Sequence, residues 1–182
     1  MKQALLLIDI QNDYFPGGAM ELAGSPEAAA QAAGLLAAFR RRSLPVIHVQ
    51  HLADRPGATF FLPGTAGAGL HRSVPPLPGE PVFQKHFPNA FRDTPLLGHL
   101  RGLGISRLVI AGMMTHMCID TSTRAAADLG FECVLAGDAC ATRALAFGGA
   151  TVPAAQVQAA FLAALDGTFA QVATAASLCA ER

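Results

Sequence analysis

Residues 108–126 read LVIAGMMTHMCIDTSTRAA, and the thiol of Cys118 falls where an apolar run gives way to a helical pattern. The run 108–111 has the length and branching of a buried strand, Gly112 breaks it, and by Ile119 the apolar spacing is helical. A helix start offers unpaired backbone N–H groups and the positive end of the dipole, which favour an anion. The placement therefore predicts a thiol of lowered pKa, and the thiolate is the nucleophilic form. A free cysteine otherwise packs as a small hydrophobe. The strand–turn–helix setting separates Cys118 from Cys133, Cys140 and Cys179.

Two further groups end apolar runs. Asp9 closes ALLLID, and Lys85 follows the strand-like 81–84 inside FQKHFPNAF. Asp9 has a plainer reading as a helix cap or a buried ion-pair partner, since an unpaired Asp is seldom buried. Lys85 has one as a surface lysine, but the chain holds only two lysines, Lys2 and Lys85, against eleven arginines. A lysine spared for a strand end suits a compact point charge. Asp138, delivered by a later strand, reads as a loop-orienting group. None of the six histidines belongs to an HExxH pair or stands out as a base. There is no GxGxxG after the first strand, no GxxxxGK[ST] and no GxSxG.

The positioning elements follow from the apolar pattern. Strands are predicted over 4–9, 45–50, 81–84, 107–111, 131–136 and 169–174. Between them the pattern predicts helices over 25–41, from Thr94-Pro95 to Gly102, over 118–129 and over 153–165. Residues 53–80, with five prolines and five glycines, read as a long functional loop, and 147–151 as a shorter one. Alternating strands and helices predict an α/β fold of three layers, a mostly parallel sheet covered on both faces. In such sheets ligands bind beyond the carboxyl ends of the strands, where Asp9, Lys85 and Cys118 would meet.

Composition sets the wider limits. One domain over residues 1–182 is expected, with 52% hydrophobic and 14% charged residues. Thirteen basic residues balance thirteen acidic ones, and the longest basic run, 40–42, ends a helix, so neither nucleic acid nor a membrane is an expected partner. The four cysteines lack CxxC spacing and read as free thiols. No stretch reads as a signal peptide or membrane span, and a cytoplasmic location is expected.

Taken together, LLLIDIQNDY, QKHFPNAF and VIAGMMTHMCID resemble the isochorismatase-like cysteine hydrolases, a family that includes nicotinamidase and carbamoylsarcosine amidase. The resemblance runs in order over nearly the whole chain. It implies a six-stranded parallel sheet and an Asp–Lys–Cys triad, here Asp9, Lys85 and Cys118. It also implies a cis Met113–Met114 peptide and an oxyanion hole made by the backbone N–H groups of Met114 and Cys118. Tyr14 stands where the family usually places a pocket phenylalanine, and Phe60, Phe61 and Leu62 where it places apolar lid residues. Phe87, His116 and Met117 complete the expected pocket; His116 and Met117 differ from the pair found in many nicotinamidases.

The implied activity is hydrolysis of a C–N bond in a small amide, carbamoyl or lactam substrate through a thioester, with no cofactor. A vinyl-ether hydrolase using Asp9 as acid is the alternative, against which the presence of Cys118 counts. A silent binding module of the same fold would be expected to have lost one of the three groups. A homo-oligomer, a dimer or larger, is the expected assembly. No metal is expected: nicotinamidases hold one with Asp-x-His after the second strand, whereas here the stretch is Gln50-His51-Leu52-Ala53. His48 and His51, three apart on a strand, would point to opposite faces, and His71 lies far along the loop. A hydrogen-bonded strand-end residue beside the pocket is the expected role of His48 or His51.

Overall fold

A computed structural model of the protein describes residues 2–180. Six parallel strands form the sheet: β1 (Gln3–Ile8), β2 (Val46–His51), β3 (Val82–Lys85), β4 (Arg107–Met113), β5 (Glu132–Ala141) and, last in the chain, β8 (Gln171–Ala173). Their order is β3-β2-β1-β4-β5-β8, so the chain starts mid-sheet and reverses direction between β1 and β4. That reversal opens a crevice at the strand ends.

The continuous apolar run of β1 is explained by burial of both its faces. Leu5 and Leu7 belong to the layer that holds residues of α1 (Ser25–Arg41) and α5 (Ala175–Ala180). Ala4, Leu6 and Ile8 belong to the opposite layer with Leu96 and Leu100 of α2 (Leu96–Gly102), Ala126 of α3 (Asp120–Asp128) and Leu165 of α4 (Ala154–Leu165). The period of two along the strand thus sorts residues between two helix layers.

Three local features differ from the sequence expectation. Residues around 147–151 form a two-stranded antiparallel hairpin, β6 (Leu145–Phe147) and β7 (Ala150–Val152), instead of a loop. Its turn is Gly148-Gly149, with both glycines at positive φ, as tight hairpins require. The second is α5, which follows β8 and carries the backbone N–H of Ala175 on Asp138 Oδ1 at 2.8 Å. The third is the start of α1, where Gly24 and not Ser25 flanks the helix. Among the described residues no helix is long and apolar enough to cross a membrane.

Candidate active site

Four neighbouring strands each deliver one polar side chain to the crevice. β1 stops because Asp9 adopts left-handed backbone (φ 53), a conformation Asp tolerates better than most residues. Its N–H still donates to the Val49 carbonyl at 3.0 Å, so the ladder with β2 is kept while the carboxylate turns inward, fully buried. β2 ends at His51 and β3 at Lys85, which are direct neighbours in the register. β4 runs through Gly112 and Met113 into a wide helical turn, Thr115–Ile119, that carries Cys118. Ile119 N–H reaches the Met114 carbonyl at 3.2 Å, the i→i+5 spacing of such a turn.

Gly112 permits this approach. It sits at φ 136 opposite Ile8 of β1, and a Cβ there would overlap the Ile8 carbonyl oxygen. The Met113–Met114 peptide that follows is cis.

The four side chains converge on one atom. Lys85 Nζ lies 2.7 Å from Asp9 Oδ2, 2.9 Å from His51 Nδ1 and 3.2 Å from Cys118 Sγ. An ammonium has donors and no acceptor, so it donates to His51 and Cys118 and forms an ion pair with Asp9. Burial works against its charge, but Asp9 and Cys118 outweigh it and raise the Lys85 pKa. His51 is pushed down to about 4, first by burial and then by the Lys85 charge, and is a neutral imidazole near pH 7.

Cys118 corrects the sequence expectation. Its pKa is raised far above the ordinary thiol value, first by burial and next by the Asp9 carboxylate, with Lys85 opposing. A buried thiol inside a wide helical turn gains less from a helix dipole than it loses in hydration. Burial and Asp9 together favour the protonated thiol, with the Asp9 carboxylate within 4.8 Å of the sulfur.

The pocket in front of this cluster is a cavity of about 110 Å³. Tyr14, Phe60, Phe61, Met114 and Met117 make its apolar wall, and His51 and Cys118 reach into it. Tyr14 is buried against Phe61, ring centroids 4.6 Å apart. Its hydroxyl pKa is raised, first by burial and further by the nearby Asp9 carboxylate.

Two expected lining residues stand elsewhere. Phe87 lies under the Arg92 guanidinium, 3.6 Å from it, and its neighbours His86 and Pro88 line the cavity instead. His116 turns away because Thr142 holds its Nδ1 at 2.6 Å and Phe161 meets its ring edge-on.

Two polar residues of the QNDY turn were missed. Gln11 is fully buried and grips the His51 main chain on both sides: Oε1 accepts the His51 N–H at 2.7 Å, and Nε2 donates to the His51 carbonyl at 2.9 Å. Nε2 also donates to the Ala68 carbonyl at 2.7 Å, tying in the long loop. Asp13 accepts the Phe61 N–H at 2.6 Å and so fixes the aromatic wall. The available signal was position: polar side chains directly after a strand that delivers a carboxylate.

Among the described residues, Asp9, His51 and Cys118 are the group whose donor atoms lie close enough, within 4.8 Å of one another, to share a metal ion. Each of those residues already has an atom on the Lys85 ammonium, a cation that the chain supplies. His48 is buried on the α1 side against Glu80 at 3.2 Å, itself paired with Arg40 at 2.7 Å. His71 is stacked on Phe15 with ring centroids 3.6 Å apart.

Comparison with known proteins agrees with this architecture. The profile of the isochorismatase domain matches residues 3–177. An uncharacterized isochorismatase family protein of Bacillus subtilis, YddQ, is 49% identical over 174 residues, covering 96% of this chain and 97% of the relative. Maleamate amidohydrolase of Pseudomonas putida is 33% identical over 148 residues, 74% of this chain and 70% of that protein. A crystal structure from Oleispira antarctica, described as an isochorismatase hydrolase, superposes with a TM-score of 0.95 at 55% identity, covering 99% of this chain and 97% of the other.

Proposed function

The chain belongs to the isochorismatase family, and from that premise we propose that it is a cysteine hydrolase cleaving a C–N bond of a small amide, carbamoyl or lactam substrate. The observation that carries this reading is the Lys85 ammonium held between Asp9 and Cys118 at the edge of an apolar pocket. The amidohydrolase activity in the name of the P. putida relative supports the bond class.

Asp9 takes the thiol proton as Cys118 attacks the amide carbon, so the thiolate exists only as the C–S bond forms. Lys85 pairs with the Asp9 carboxylate at 2.7 Å and offsets the negative charge that moves onto sulfur and then oxygen. The carbonyl oxygen is received by the backbone N–H groups of Met114 and Cys118, residues that both line the cavity. As the C–N bond breaks, Asp9 returns the proton to the amine, leaving an acyl thioester. Asp9 then removes a proton from water, the new C–O bond forms, and the thiol is released with its proton restored.

The aromatic wall and the cavity volume favour a small substrate, and Asp54 and Arg55, which also line the cavity with opposite charges, favour one without net charge. A homo-oligomer is proposed with it, supported by the high apolar content and by Phe147, 90% exposed on the β6–β7 hairpin. The test is a screen of primary amides, ureas and lactams read by ammonia release and by mass spectrometry of an acyl adduct. Turnover with at least one such substrate, abolished in a folded Cys118→Ala variant, is expected. Undiminished turnover in that variant defeats the proposal.

A further inference from the structure

His51 takes no part in the proposed acyl transfer, although it lines the pocket with Cys118. We propose that His51 is a substrate-binding residue: its Nε2–H donates to a second acceptor oxygen on the substrate, and Lys85 fixes the tautomer that makes this possible. The inference rests on the hydrolase reading and names the substrate class more closely. The favoured substrate is a small neutral amide with a second carbonyl oxygen a few bonds from the scissile group.

Lys85 Nζ can only donate, so His51 Nδ1, 2.9 Å away, must accept. A neutral imidazole carries one proton, which the contact therefore places on Nε2. The ring stays neutral because it is partly buried beside a cation. Among the described residues no hydrogen bond to Nε2 is found, while His51 lines the cavity. A donor left open at the edge of an apolar pocket is where a site discriminates, because a substrate without the matching acceptor leaves it unpaired.

The ring is also held in position. Gln11 binds the His51 N–H and C=O at 2.7 and 2.9 Å, and Phe61 packs beside the ring with centroids 5.9 Å apart. Lys85 is buried behind Asp9, His51 and Cys118 and does not line the cavity, so it is not the group that meets the substrate. His51 passes its constraint on to the pocket.

The test begins with the full chain carrying ¹⁵N-histidine, the His51 signals being assigned by their loss in His51→Phe. Long-range ¹H–¹⁵N spectra near neutral pH are expected to show His51 neutral, with its proton on Nε2. In Cys118→Ser, which holds amides uncleaved, succinamide should shift the Nε2–H signal and pentanamide, which lacks the second carbonyl, should not. A proton on Nδ1, a doubly protonated ring, or a succinamide shift no larger than that of pentanamide overturns the proposal. His51→Asn keeps an acceptor for Lys85 but does not reach the substrate. With the fastest amide of the screen it should raise KM about tenfold and change kcat by less than about twofold. A collapse of kcat at unchanged KM would make His51 a positioning residue for Lys85 and likewise overturn it. Retained turnover in Cys118→Ala defeats the hydrolase mechanism alone, and the tautomer spectra are read independently of it.

Discussion

Lys85 Nζ and Asp9 Oδ2 stand 2.7 Å apart with both side chains wholly withdrawn from solvent. Removing one member of such a pair strands the other charge, at about 3–5 kcal/mol. Asp9→Asn and Lys85→Met should each lose turnover and each lower unfolding stability by that order in denaturant titrations. The double variant should be more stable than either single one. Additive losses would mean that the two charges do not compensate each other.

Cys118 should be slow to alkylate, contrary to the reactivity its place in the sequence suggests. It is 5% exposed and its pKa is raised by burial and by Asp9, whereas Cys179 is the one cysteine not fully buried. Iodoacetamide near pH 7 is expected to label Cys179 before Cys118 in peptide mass spectrometry. Labelling of Cys118 first would show a standing thiolate.

Burial also couples the other thiols to alkaline unfolding. Cys140 is pushed up to about 12, chiefly by burial, from an ordinary 9.0. Above about pH 9 the unfolded chain releases this proton and the folded chain keeps it, so the unfolded state binds fewer protons and stability falls as pH rises. The contribution is fully present below pH 9 and is lost up to about pH 12. Comparing the parent with Cys140→Ala by urea titration, the variant's slope between about pH 10 and 11 should be shallower by about 1.4 kcal/mol per pH unit. Equal slopes would contradict the assignment.

Asp13 is predicted to act on the pocket through the main chain. Asp13→Ala frees the Phe61 N–H that now donates at 2.6 Å, and should cost about 1–3 kcal/mol of stability. Limited proteolysis should cut residues 54–62 faster in this variant, and KM should rise. Unchanged cleavage would show that the aromatic wall holds without the clasp.

Gly112→Ala should be among the most damaging single changes. The new methyl would overlap the Ile8 carbonyl at a φ of 136, so β1 and β4 would have to part at the crevice. A loss of at least about 2 kcal/mol in thermal or urea unfolding is expected, with turnover falling further than stability.

Much of this was legible along the chain. The apolar run of β1 ending in Asp9, the break at Gly112 and the spared Lys85 pointed to one sheet edge, because strand polarity puts all carboxyl ends together. What escaped was set by partners far away in sequence. The grip of Gln11 on His51 spans 40 residues, and no local pattern marks it. The direction of the Cys118 shift depends on how completely a helical turn is covered, which periodicity does not report. The β6–β7 hairpin escaped because its strands are three residues each and mostly exposed, leaving no alternation to read. Phe87 and His116 were displaced by single neighbours, Arg92 and Thr142.

The distribution of lysines has a practical consequence. Lys85 is sealed in the sheet, and Lys2, the other lysine, is exposed immediately before β1 begins. A strand of six residues separates Lys2 from Asp9, a span of about 20 Å. Side-chain amine coupling to a resin or a dye would therefore attach at the end of the sheet remote from the pocket. The protein carries its own handle for oriented immobilisation, with the catalytic edge facing the solution.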